Sequence, residues 1–121
     1  MPDKRILVVD DEADIRDLIA LKLGAAGYTV QVALDGNSGL QEALTGNFDG
    51  IVLDVMMPGM SGIDVLSALR QAEITTPVLL LTAKAQERDV EAGFAVGADD
   101  YVTKPFSPRA LLARVNALMR N

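Results

Sequence analysis

The chain has no cysteine, no histidine and no tryptophan, and its aromatic content is three phenylalanines and two tyrosines. Without cysteine there is no disulfide and no thiolate chemistry, an absence compatible with a reducing compartment. Without histidine there is no phosphohistidine, no imidazole base and no imidazole metal ligand. Any bound metal must then be a hard cation held by oxygen. Positive charge is scarce too: 11 basic residues face 17 acidic ones, for a net charge of −6. The basic residues form no run or stripe, which argues against direct nucleic-acid binding. No apolar run approaches the roughly 20 residues that cross a bilayer. The opening Met1-Pro-Asp-Lys-Arg-Ile lacks an apolar signal core. These features predict a protein of the cytoplasm without a membrane partner.

What is present is a regular alternation. Half of the 121 residues are hydrophobic, enough for a sizeable core. Ile6–Val9 is a continuous apolar run suited to a strand buried on both faces. Ile15, Leu18, Ile19, Leu23 and Ala26 then recur at helical spacing, with Asp11 able to cap the start and Gly27 to end it. Tyr28–Ala33 reads as an edge strand. Asp35-Gly-Asn-Ser opens a helix to about Thr45, with Leu40, Ala43 and Leu44 as its apolar face. Gly50–Asp54 is a third strand. Ser61 and Asp64 make a capping-box pattern before a helix that turns Ile63, Leu66 and Leu69 inward. Pro77–Thr82 is a fourth strand. A weakly amphipathic helix follows from about Gln86, with only Val90 and Phe94 as large apolar residues. Tyr101–Thr103 is a short fifth strand. Ser107-Pro108 starts a last helix bearing Leu111, Leu112, Val115, Leu118 and Met119. Five strand–helix alternations with short connections predict parallel, right-handed βαβ units. The expected fold is one α/β domain over residues 1–121, a three-layer sandwich.

Parallel strands end on one edge, where ligands and chemistry sit in open α/β sheets. Asp10 and Asp11 follow the first strand, Asp54 ends the third, Thr82 ends the fourth and Lys104 follows the fifth. Each has an ordinary explanation. Asp54 can cap the next turn, Asp11 its helix, Asp10 can be solvated, Thr82 can finish a strand and Lys104 can sit at a turn. None of these accounts for five placements converging on one edge. Clustered carboxylates repel and need neutralising, and Mg²⁺ is the natural counter-ion. A carboxylate nucleophile, a metal, a cation and a hydroxyl around one oxyanion suit phosphoryl transfer.

Four motifs now carry a resemblance. Val8-Val-Asp10-Asp11-Glu12, Leu53-Asp54-Val-Met-Met-Pro58-Gly59, Leu81-Thr82-Ala83 and Gly97-Ala-Asp-Asp-Tyr-Val-Thr-Lys104-Pro105-Phe106 resemble the receiver domain of bacterial two-component response regulators, in order and spacing, over essentially the whole chain. The resemblance implies a flavodoxin-like parallel sheet in the order 2-1-3-4-5 with five helices. It implies that Asp54 takes a phosphoryl group from a histidine kinase or phosphotransfer protein, so that the donor histidine lies in the partner. Asp11, Asp54 and the backbone carbonyl of Met56 would ligate Mg²⁺, with Asp10 acting through water. Thr82 and Lys104 would bind phosphoryl oxygens, Thr82 and Tyr101 would form a switch pair, and Lys104-Pro105 would be a cis peptide. Such a protein is a signalling switch toward an effector that the sequence does not name. It is not an enzyme beyond its own phosphorylation and slow dephosphorylation.

Three other readings are weaker. A phosphatase-like hydrolase of related site needs a second aspartate two residues after the nucleophile, where this chain has Met56. A flavodoxin-like cofactor carrier needs a small-residue phosphate loop where Asp10-Asp11-Glu12 stands. A receiver fold used only as an interaction surface would not need the intact set. Within the resemblance, Met56 and Lys84 border the path of the attacking water, and neither can orient it, which predicts a long-lived phosphoryl group. The run Gly97–Pro108 resembles receivers of winged-helix transcription factors, which dimerise through helix 4, strand 5 and helix 5. Of three charged pairs usual on that face, two are replaced by Val90 with Ala110 and by Ala95 with Asn116. Only Asp100 with Arg114 remains. The expectation is a monomer, and at most a weak phosphorylation-dependent dimer.

Overall fold

The computed structural model describes residues 4–83 and 87–120. Its five strands are β1 (Arg5–Val9), β2 (Thr29–Ala33), β3 (Gly50–Asp54), β4 (Val78–Ala83) and β5 (Asp100–Lys104). The helices between and after them are α1 (Ala13–Ala25), α2 (Gly36–Thr45), α3 (Gly62–Gln71), α4 (Glu87–Ala95) and α5 (Pro108–Met119). All strand pairs are parallel, and the sheet order is β2-β1-β3-β4-β5. This is the flavodoxin-like, doubly wound order expected.

The apolar runs bury both faces of the sheet, one alternate residue set on each. Leu7, Val9, Ile51, Leu53, Val78 and Leu80 pack with Ala43 of α2 and Val65, Leu66 and Leu69 of α3. Ile6, Val8, Val52, Leu79 and Leu81 pack with Ile19 and Leu23 of α1 and Leu111, Val115 and Met119 of α5. The sheet is thus the middle layer of three.

Several helix faces differ from the expected ones. Leu44 and Leu18 are 40% and 44% exposed. In α2 the inner position goes to Gly39 instead, where even a Cβ would lie 2.7 Å from Cγ1 of Val9. The close approach of α2 to β1 leaves no room for a larger residue and rotates Leu44 outward. Val65, not singled out by spacing, is buried, whereas Ile63 is partly exposed. Asp11 does not cap α1. The N-cap is Glu12, without a side-chain cap bond. Ala26 closes the helix, and Gly27 then turns at φ +102°, a left-handed conformation open to glycine. Helices α2 and α3 both open with capping boxes, Asp35 with Ser38 and Ser61 with Asp64.

Candidate functional site

Strand register brings the candidate residues together. Val9 lies opposite Leu53, so Asp10 emerges beside Asp54. Asp54 lies opposite Leu81, one residue before Thr82. Thr82 lies opposite Thr103, one residue before Lys104. The carboxyl edge of the sheet therefore collects all five residues.

Asp10, Asp54 and Thr82 are the buried polar residues of the described chain, at 0%, 2% and 1% exposure. Ligand oxygens of Asp10, Asp11, Glu12 and Asp54 lie within 4.8 Å of one another. Lys104 faces this cluster, its Nζ 3.3 Å from Asp10 Oδ2, Asp54 Oδ2 and Glu12 Oε1. Of these three contacts, the one to Glu12 meets hydrogen-bond geometry. Oδ2 of Asp10 and Oδ2 of Asp54 are buried without a hydrogen-bond partner. The ammonium therefore acts on the inner pair mainly as a charge.

The remaining lone pairs are better served. Asp10 Oδ1 accepts from the backbone N–H of Glu12 at 2.9 Å. Asp54 Oδ1 accepts from that of Met56 at 3.4 Å. Arg16 donates to the carbonyl of Asp10 at 3.0 Å and so braces the end of β1. Burial and the nearby Asp10 carboxylate push Asp54 up to about 7, against the opposing pull of Lys104. The carboxylates of Asp54 and Asp10 raise Lys104 above the usual lysine range, despite its burial.

The turn after β3 is packed against the same edge. Gly62 N–H donates to Val55 O at 3.0 Å, and a Cβ on Gly62 would stand 2.2 Å from the carbonyl oxygen of Asp54. Only glycine lets α3 begin this close to the Asp54 backbone. The Lys104–Pro105 peptide is cis. The hydroxyl of Thr82 makes one long bond, to Ala83 O at 3.4 Å. Tyr101 points outward, 38% exposed, edge-on to Phe94 with ring centres 5.9 Å apart. The Met56 side chain is half exposed beside Asp54, and Lys84 lies outside the described residues.

Two contributors were not read from sequence. Glu12 stood inside a motif, but nothing local placed its side chain on a lysine of the fifth strand. Arg70 binds the carbonyls of Gly97 and Ile74 at 2.9 and 2.7 Å and pairs with Asp99, tying α3 to the α4–β5 corner. Beside the site, a groove of about 390 Å³ is lined by Ile15, Leu18, Pro105 and Phe106, with Glu12 and Lys104 at its edge.

An oxygen-only, acidic pocket at the switch edge of a doubly wound sheet, with a lysine facing a buried aspartate, defines a phosphoacceptor class of α/β protein. The response regulator receiver domain family matches residues 6–116, and the chain belongs to it. It is 51% identical over 118 residues to the Bacillus subtilis alkaline phosphatase synthesis transcriptional regulatory protein PhoP, covering 98% of this chain and 49% of that protein. The chain thus spans about half the length of the curated relatives it matches. Among solved structures, the receiver domain of Francisella response regulator 1452 is 42% identical, with a TM-score of 0.90 and 98% of each chain covered. Thermotoga maritima response regulator TrrA, solved in complex with Mg²⁺-BeF, is 39% identical with a TM-score of 0.85, covering 95% of this chain and 98% of that one. The chain is a receiver domain, a phosphoacceptor signalling switch of two-component systems.

Proposed function

We propose that Asp54 is the phosphoacceptor and that Asp10, Asp11, Asp54 and the carbonyl of Met56 hold Mg²⁺. One observation carries this reading. Asp54 and Asp10 each keep a buried oxygen with no hydrogen-bond donor, next to a third carboxylate and a lysine. Buried carboxylate oxygens are rarely left unsatisfied. A hard divalent cation satisfies such oxygens, and carboxylates are the donors it takes. When bound, the metal neutralises charge on the transferring phosphoryl group and on the acids around it.

The chain's own residues do the rest. Ionised Asp54 attacks phosphorus, and the P–N bond of a donor phosphohistidine breaks as the P–O bond forms. Lys104 is already aimed at the Asp54 carboxylate and can follow the charge onto the phosphoryl oxygens. Thr82, nearly free of competing hydrogen bonds, offers them its hydroxyl. Tyr101 turns inward as Thr82 moves, which biases an existing equilibrium. The donor is a histidine kinase or phosphotransfer protein, and the apolar groove beside Lys104 gives it a place to approach. The chain acts in the cytoplasm as a switch and not as an enzyme on external substrates. It contacts no nucleic acid itself, and its effector is a separate segment or protein.

The test is intact mass after incubation with a small phosphodonor. One phosphoryl group should be added, only with a divalent cation, and Asp54→Asn should abolish it. Uptake without metal, or unchanged uptake in the variant, overturns the assignment.

A further inference from the structure

The contact between Glu12 and Lys104 joins the β1–α1 loop to the end of β5 beside the acid pocket. Glu12 occupies the N-cap of α1 in extended conformation, φ −88° and ψ 112°, yet makes no side-chain cap bond. Aspartate, asparagine, serine and threonine are the residues that serve an N-cap, and glutamate is not among them. The glutamate side chain instead reaches Lys104 Nζ at 3.3 Å. Its backbone N–H is meanwhile fixed to Asp10 Oδ1. A local rule broken at a site edge points to a use for the residue.

That use follows from the three carboxylates around one ammonium. Asp10 and Asp54 are buried, so their attraction for Lys104 is the least screened by solvent. Unopposed, the ammonium would turn its N–H donors onto their Oδ2 atoms. Those oxygens are left without partners although the ammonium carries three donors; the one hydrogen bond it makes to this cluster goes to Glu12, whose pull sets its orientation. We propose that Glu12 is a positioning residue that holds Lys104 at the rim of the pocket, keeping Oδ2 of Asp10 and Asp54 available to a divalent cation. This rests on the Mg²⁺ reading above.

Calorimetric titration with MgCl₂ at fixed ionic strength tests it in the wild type, Glu12→Gln and Glu12→Asp. Both variants should lose affinity by about ten-fold, the scale seen for residues that orient metal ligands. Glu12→Asp keeps the charge but is too short to reach Lys104. Its metal-free melting temperature should hold or rise, because aspartate caps the helix. A Glu12→Asp protein closer in affinity to wild type than to Glu12→Gln would show that only charge matters, and would overturn the proposal. A double-mutant cycle with Lys104→Met separates positioning from direct ligation. Glu12→Gln should have under two-fold effect in that background. An undiminished loss there would make Glu12 a ligand and overturn the proposal. A wild type that binds no Mg²⁺ overturns the metal reading and this inference with it. A wild type that binds, with both Glu12 variants unchanged, overturns this inference alone.

Discussion

Lys104 Nζ lies 3.3 Å from Asp54 Oδ2, and that oxygen is nevertheless without a hydrogen-bond partner. Proximity and hydrogen bonding are different quantities in a pocket this crowded. The lysine lowers the charge density felt by Asp54, but its N–H bond goes to Glu12. Asp54 is left as a buried carboxylate that gains much from a further cation.

This sets a pH dependence. Burial and Asp10 raise Asp54 from 3.8 to about 7. The native protein therefore holds a proton that the unfolded chain has already lost between about pH 4 and 7. Stability contributed by this group falls as pH rises through that window. Lys104, raised in the native state, loses its contribution only at much higher pH. In chelator, the wild-type melting temperature should drop more from pH 4.5 to 7.5 than that of Asp54→Asn, and the variant should be the more stable at pH 7.5. Parallel curves for the two proteins would contradict the raised value.

Two glycine substitutions should have opposite effects. A Cβ at Gly62 would press on the rigid backbone of Asp54, at 2.2 Å from its oxygen and 2.9 Å from its carbon. Gly62→Ala should cost about 1–3 kcal/mol, the range for overpacking, and weaken Mg²⁺ binding through displaced Asp54. Gly24, inside α1, has nothing within 4 Å of such a Cβ. Gly24→Ala should stabilise by up to about 1 kcal/mol through helix propensity. Denaturant unfolding reads both.

Phosphoryl lifetime tests Met56 and Lys84. Neither side chain can orient water as a general base does, so the wild type should lose its phosphoryl group slowly. Met56→Asn combined with Lys84→Glu should speed phosphate release by about ten-fold, a small part of what a positioned base can contribute. Equal release rates in the two proteins would remove these positions from the mechanism.

Assembly should be weak. Arg114 already pairs with Asp100 of its own chain at 3.2 Å, and Asn116 accepts a 2.6 Å bond from the Tyr28 hydroxyl. Both are thereby occupied on the α5 side. A surface pair is worth about 0–1 kcal/mol, and the loss of two of the three usual pairs removes much of the charge pattern that fixes register and partner choice. Analytical ultracentrifugation should give a monomer without a phosphoryl mimic, and at most a weak dimer with one. A tight mimic-dependent dimer dissociated by Arg114→Glu would show that this single pair suffices.

The sequence by itself determined the sheet, its parallel winding and the edge on which Asp10, Asp11, Asp54, Thr82 and Lys104 meet. Apolar runs that end in polar residues carry that information locally, because a strand buried on both faces must be apolar along its length and a polar residue marks where it gives way to the loops at the sheet edge. The capping box at Ser61 was legible because both partners lie within one turn, whereas at Asp35 only the helix start was legible and the box with Ser38 came from the structure. Tertiary structure alone decided where long side chains went. Glu12 meets Lys104 across 92 residues, and no local pattern encodes that distance. It depends on the register of β1, β3, β4 and β5, which sets the end of β5 beside the start of α1. Leu44 turned outward because Gly39 lets α2 press onto Val9, a fact of packing between elements.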